Sequence, residues 1–469
     1  MRPPATISIA ASVWSGCAPS KCRRVAMTRW HFQRSACACC ILLLGAFGSL
    51  GCGSHAKPAE AISIAFSGDT GGWIVPCGCT SNQSGGLARR ATFIRSLSKS
   101  SPVILADVGG AAVGTAPYDR AKFEAILAGE LLMGLVAHNL GTAEASLGAA
   151  YLRETQSRLK VPFVSCNVTD SQGQLITPTH RIVARSGRRI AFIGVLSDSQ
   201  KIPDITIQPP ASATMQVLKT IKGEYDHLIV LAYLPEKELR DFAASLPEAD
   251  AVIGGPTGQC VAPELTGSRW LASATNKGKF VVSLTMAPHE KVWKAAINEM
   301  TEQIESDTQQ LKNVETFHQL LAAQDFTAQQ TSFLSTVTAL DDRRIAGSDR
   351  CIDCHQSAAD IWHASRHATA WESLTKTGSH VDSYCQQCHS TGFGVTGGFE
   401  SAQRSPERVS VGCEDCHGAS STHVANPKVR TAAFQQASFR CARCHDRENS
   451  PKYDYDSYWH AIAHQGTPK

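Results

Sequence analysis

From Ala61 to about Met286, short runs of β-branched and apolar residues alternate with longer stretches in which apolar positions recur at helical spacing. The runs Ile62–Phe66, Val103–Asp107, Pro162–Val168, Arg189–Val195, His227–Ala232, Ala251–Gly255 and Phe280–Met286 predict strands. Gly86–Lys99 and Lys122–Leu135, lying between them, predict helices. This alternation is the signature of an α/β layered domain, over residues 61–287. Residues 288–345 carry a charged and then Gln-rich run with no Gly or Pro between Pro288 and Leu340, which predicts one or two exposed helices acting as a linker. Beyond Asp349 the pattern changes again. Apolar periods become short while Cys, His and Gly accumulate, so residues 349–469 form a second domain whose side chains cannot supply an ordinary core.

The chain of 469 residues is long enough for two folded units plus targeting and linking segments. Its net charge of +4 gives nucleic-acid binding no support. Cysteine changes the picture: of 18, eight fall between Cys351 and Cys444, and ten of the 17 histidines follow residue 349. Residues 1–52 read as an export segment. A basic stretch after Met27, itself a plausible true start, leads into the apolar run Ala36–Phe47, too short to span a bilayer, and then Ser49-Leu50-Gly51-Cys52. That last box is similar to a bacterial lipoprotein cleavage site, although Ser49 stands where Leu is usual. The expectation is export to the periplasm, with Cys52 lipidated as a membrane anchor or with ordinary cleavage nearby.

Four pentapeptides repeat one pattern: Cys351-Ile-Asp-Cys354-His355, Cys385-Gln-Gln-Cys388-His389, Cys413-Glu-Asp-Cys416-His417 and Cys441-Ala-Arg-Cys444-His445. Two thiols three residues apart form thioether links to the vinyl groups of one haem, and the adjacent histidine reaches the iron as the proximal ligand. Structural zinc pairs or disulfides would not need a histidine after every second cysteine. The reading is therefore four covalently bound haem c groups. The motifs recur after 34, 28 and 28 residues, too little chain to insulate one porphyrin from the next. Haems would then fill the core and conduct electrons to redox partner proteins, and their attachment would be a condition of folding.

Trp362-His-Ala-Ser365-Arg-His367-Ala, Val411-Gly-Cys-Glu-Asp-Cys-His-Gly418 followed by His423, and Trp459-His-Ala-Ile462-Ala-His464-Gln-Gly466 resemble the multihaem cytochrome c five-five-four family of electron carriers, over about residues 350–466. The resemblance implies His367, His423 and His464 as distal iron ligands, with His380 a fourth. His363 and His460, one helical turn before two of these, are alternatives or outer hydrogen-bond donors. If only three distal positions are filled, one iron stays five-coordinate and open to a small nitrogen or sulfur compound, which would make the protein a haem-dependent oxidoreductase.

Ile64-Ala-Phe-Ser-Gly-Asp69-Thr-Gly71-Gly72 and Gly85-Gly-Leu-Ala-Arg-Arg-Ala-Thr-Phe-Ile94, continued by Ser165-Cys-Asn-Val168, Arg189–Val195 and Ala251–Gly255, resemble the 5′-nucleotidase branch of the calcineurin-like metallophosphatases. This implies a four-layer α/β sandwich over residues 61–287. Such enzymes bind two metals through Asp, His and Asn side chains. Here Asp69 survives, but Gly71, Gly110, Thr142, Ala143, Tyr233, Pro256 and Gly258 stand where ligands or the catalytic histidine belong. The expectation is a scaffold without its dimetal centre, the alternative a residual nucleotidase or phosphoesterase. Cys77, Cys79, Cys166 and Cys260 are either a thiolate metal site or disulfide near the old active face, or a buried apolar residue with loop thiols. Arg89 and Arg90 are expected to cap or solvate their helix.

Overall fold

The computed structural model describes residues 60–76, 83–333, 344–431 and 440–464. The export segment, Cys52, Cys77 and Cys79 lie outside the described residues. Two six-stranded mixed sheets make the first domain. One has the order β14 (Lys294–Glu299), β13 (Phe280–Met286), β1 (Ile62–Ser67), β2 (Val103–Asp107), β3 (Leu135–Asn139), β4 (Phe163–Val164). The other runs β11 (Glu264–Thr266), β12 (Arg269–Ser273), β10 (Ala251–Gly255), β9 (His227–Tyr233), β7 (Arg188–Leu196), β6 (His180–Arg185). A small ribbon pairs β5 (Val168–Asp170) with β8 (Ile205–Ile207). The central strands β1 to β4, and β7, β9, β10 and β12, pair in parallel, and antiparallel strands close both sheets.

Parallel strands covered on both faces need apolar side chains on both. Phe66, Ile104, Phe192, Ile229, Leu231 and Ile253 fill the space between the sheets. The outer face of the first sheet is covered by α1 (Leu87–Ser98), α2 (Pro117–Leu132), the short α3 (Thr142–Ser146) and α4 (Ala149–Leu159), and α7 (Thr308–Gln324), through Leu87, Phe123, Leu127, Leu152 and Phe317. That of the second is covered by α5 (Pro210–Thr220) and α6 (Glu236–Ala244), through Val217, Leu218, Leu239 and Phe242. The result is the expected helix–sheet–sheet–helix sandwich.

Two local expectations are corrected. The helix expected over Lys122–Leu135 is α2, which starts at Pro117, a residue suited to a first helical turn, and stops before Gly134 at φ 82°. Leu135 then opens β3. The helical run expected over 288–345 begins instead with β14, which adds to the edge of the first sheet against β13, and turns helical only in α7.

The second domain is built of short helices joined by turns: α8 (Asp349–Ile352), α9 (Gln356–Ala364), α10 (Ala370–Thr377), α11 (Ser383–His389), α12 (Cys413–His417), α13 (Ser421–Ala425) and α14 (Tyr455–His460). It packs against the α/β domain. Tyr118 and Lys122 of α2 both bond to Asp382, Lys122 Nζ lying 3.4 Å from Oδ2. The rings of Trp73 and Tyr384 meet edge to face at 5.0 Å, and Lys277 and Lys279 pair with Glu448 at 3.4 and 2.8 Å. No described helix is long and apolar enough to cross a membrane.

Candidate functional site

Each Cys-x-x-Cys-His segment places its thiols about one helical turn apart, with the histidine emerging at the end of that turn. In α11 the side chain of Asp382 caps the helix by accepting from Tyr384 N at 2.9 Å. In α12 the two residues between the cysteines are structural. Asp415 accepts from Gly392 N and Gly412 N, both at 2.9 Å, and Glu414 accepts from Ala346 N (2.9 Å), Gly347 N (2.7 Å) and Ser420 N (2.7 Å). Glu414 thereby binds the third motif to the entry of the first, and Asp415 binds it to the turn after the second; in the sequence both read as ordinary spacer residues. Thiols of different motifs also converge, Cys351 with Cys413 and Cys388 with Cys444.

The imidazoles show how the region is braced. Ring centroids are 6.1 Å apart for His355 and His423, 6.1 Å for His367 and His445, and 5.9 Å for His417 and His464. A metal sits about 2 Å from a ligating imidazole nitrogen, so two rings on opposite sides of one ion have centroids roughly 6 Å apart. Each pair joins a motif histidine to one of the three histidines that the resemblance implies as distal ligands. Outer hydrogen bonds leave Nε2 free to face inward: His423 Nδ1 to Val429 O (2.8 Å), His464 Nδ1 to Ile462 O (2.9 Å), His445 Nδ1 to Ser450 Oγ (3.2 Å) and His389 Nδ1 to Ala370 O (2.8 Å). Burial holds His367, His417 and His445 below the ordinary imidazole pKa, which favours the neutral, ligating form. These residues fit haem.

His389 differs. No imidazole among the described residues, which include every histidine beyond residue 55, stands ring to ring with it. His380, expected as a fourth distal ligand, makes no such pair. It lies in the tight turn before α11 with its ring against Trp371 at 6.4 Å. His363 packs on its neighbour Trp362 at 4.6 Å instead of facing a motif histidine.

The face on which the resemblance places metal ligands lies at the carboxyl ends of the first sheet's strands. Asp69, at φ 48°, accepts through Oδ2 from Thr275 Oγ1 (2.8 Å) and Asn276 N (3.2 Å), and Tyr233 OH lies 3.5 Å from Oδ1. Burial raises the pKa of this carboxyl. A Cβ on Gly110 would stand 2.6 Å from the Tyr233 ring, so the phenol occupies the space a side chain at 110 would need. Glu144 accepts from Ala111 N and Ala112 N. Cys166 is buried beside Thr214 with its thiol pushed up to about 12, and neither it nor Cys260 is in a disulfide. Arg90 departs from expectation: it is fully buried, bonded to Thr70 (2.9 Å) and paired with Glu130 (3.5 Å). Nothing in the sequence signals this, because its acidic partner lies 40 residues away on another helix.

Residues 350–418 match the family described as cytochrome c554 and c-prime. Cytochrome c-554 of Nitrosomonas europaea is 29% identical in an alignment 117 residues long that covers 22% of this chain and 50% of that protein. The chain therefore spans about half the length of this curated relative. Sulfate thiohydrolase SoxB of Thermus thermophilus superposes with TM-score 0.50 at 13% identity, over 60% of this chain and 63% of that one. A 5′-nucleotidase precursor, also of Thermus thermophilus, gives 0.49 at 17%, over 62% and 66%. The C-terminal region is thus similar to the cytochrome c554 family, and the N-terminal region shares the fold of that thiohydrolase.

Proposed function

We propose that this protein is an exported tetrahaem c-type cytochrome that carries electrons between redox partner proteins, on a phosphatase-like scaffold that has lost its dimetal centre. The observation that carries the reading is the set of three imidazole pairs at 5.9–6.1 Å, each including a motif histidine. Bound haem supplies one-electron chemistry. Cys351 and Cys354, Cys385 and Cys388, Cys413 and Cys416, and Cys441 and Cys444 anchor it. His355, His389, His417 and His445 ligate from the proximal side, and His423, His464 and His367 from the distal side of the first, third and fourth motifs. The pairing of Tyr233 with Gly110, and of Asp69 with Thr275 and Asn276, supports the loss of the old metal site. A dimetal centre needs several charged or imidazole donors, and only Asp69 remains of the family set. Cys52 would hold the chain at a membrane surface of the periplasm.

One observation favours a second reading. The open side of His389 suits a haem that binds a small nitrogen or sulfur compound, which would add oxidoreductase activity to electron transfer.

The test is purified protein matured with c-type haem. Four haems per chain, three in Cys385→Ala/Cys388→Ala, reversible reduction, and no divalent-metal-dependent hydrolysis of nucleotides are expected. Fewer haems in the unaltered protein, or metal-dependent hydrolysis that Asp69→Asn abolishes, would overturn the reading. Metabolic palmitate labelling that persists in Cys52→Ser would remove the anchor.

A further inference from the structure

Beneath the former catalytic face lies a polar cluster that neither haem attachment nor the old dimetal positions use. Asp107 of β2 sits opposite His138 of the parallel strand β3, so both side chains leave the sheet on the same face, toward the helices. There α2 supplies Glu130 and α1 supplies Arg90, and all four residues are 0% exposed. His138 Nδ1 lies 2.9 Å from Glu130 Oε2 and 3.9 Å from Asp107 Oδ1, and one donor atom from each of the three residues falls within 4.8 Å of the others.

Each donor is fixed from outside. Ser67 Oγ donates to Asp107 Oδ2 at 2.6 Å and Gly109 N to Oδ1 at 2.8 Å; Arg90 lies 3.5 Å from Glu130 Oε1. Glu144 Oε1 stands 3.8 Å from His138 Nε2 on the far side of the ring. A carboxylate behind a histidine, a hydroxyl behind an aspartate and a guanidinium behind a glutamate are the outer contacts that orient metal ligands. The rings of Phe123 and Phe163 flank the imidazole at 6.3 and 5.4 Å.

Two further observations show that the cluster is incomplete as a set of hydrogen bonds. His138 Nε2 and Glu144 Oε2 are buried and have no hydrogen-bond partner. Charge does not close either. Were all three ionised, the carboxylates of Asp107, Glu130 and Glu144 would face one guanidinium and leave two negative charges in a region from which water is excluded. An imidazolium would offset one of them; a divalent cation offsets both. One nitrogen with two carboxylate oxygens is a donor set for zinc, manganese or ferrous iron.

We propose that Asp107, Glu130 and His138 bind a buried divalent metal ion, distinct from the haem irons and from the lost dimetal positions around Asp69, and that this ion pins α1 and α2 to the first sheet. Because the site is closed to solvent, the ion enters as the domain folds and resists chelators while the domain stays folded.

The test is elemental analysis of the haem-loaded protein, grown with zinc and manganese and then dialysed against a chelator. About one equivalent of non-haem divalent metal per chain is expected. Asp107→Asn and His138→Gln should lose it with haem content unchanged, and Glu144→Gln should weaken retention roughly 10- to 100-fold on unfolding and refolding in limiting metal. Anomalous scattering at the edge of the metal found locates the ion in crystals of the unaltered protein, so the result stands even if a variant fails to fold. A peak between Asp107, Glu130 and His138 is predicted. Substoichiometric non-haem metal in the unaltered protein, or a peak elsewhere, would overturn the proposal and leave a shared proton as what holds the cluster together.

Discussion

Between Ile62 and Met286 the chain closes its core with its own side chains: Phe66, Phe123, Phe163 and Phe192 are all within 1% of complete burial. In the cytochrome-like region the apolar clusters among the described residues are Ile345 with Val395 and Ala419, and Phe393 with Phe399 and Ala328. Clusters of that size cannot offset the entropy of ordering more than a hundred residues. The proposed function therefore implies one region whose fold is a property of its sequence and one whose fold would be a property of sequence plus prosthetic group. The second gains its long-range order from cross-braces: histidine pairs, and acids such as Glu414 that fix distant backbone.

The sharpest way to break this contrast is to withhold haem. Expressed without c-type maturation, the chain should keep amide-exchange protection in β1, β2, β7 and β9 and lose it across residues 350–464. Native-like protection in that segment would show that side chains alone suffice. Next in size, Phe192→Ala should destabilise the α/β domain by about 3–5 kcal/mol in denaturant melts while haem content per folded chain stays constant. A third experiment probes the join. Lys122 and Asp382 form a buried pair, with side chains 8% and 7% exposed, and Lys122→Met strands the carboxylate at a cost of up to about 3–5 kcal/mol. Tyr118 and the cap on α11 still hold Asp382, so the loss should fall at the low end, and calorimetry should show two transitions where the unaltered protein shows one.

The smallest expected effect is a pH dependence. Burial lowers the pKa of His318 on α7, so the folded protein binds this proton less readily than the unfolded chain. Its contribution to stability is present above the ordinary imidazole value of about 6.5 and is lost as pH falls. His318→Gln should flatten the melting temperature between pH 5 and 7; an unchanged slope would assign the acid sensitivity to other groups.

Much of this contrast was legible in the sequence, for reasons that differ by element. The strands β2, β10 and β13 have the bounds that their apolar runs predict, because central strands covered on both faces need uninterrupted apolar character. β14 was not legible: Lys-Ala-Ala-Ile-Asn-Glu favours a helix locally, and pairing with β13 overrides it. The haem-binding motifs declare themselves because their ligands are adjacent in the chain. Glu130 and Arg90 do not, since a charged residue on an amphipathic helix reads as solvated until the partner that buries it is known. The pairing of His423 with His355 and of His464 with His417 likewise depended on the fold, although the candidates themselves were visible beforehand.

The central claim of the proposed function is that three haem irons would be held between two imidazoles and that a haem iron at His389 would have one. Electron paramagnetic resonance of the oxidised, fully haem-loaded protein tests it most directly. The account predicts low-spin signals integrating to three haems and a high-spin signal integrating to one, with His423→Ala converting a second haem to high spin. Four low-spin haems in the unaltered protein, or an unchanged spectrum in His423→Ala, would contradict it.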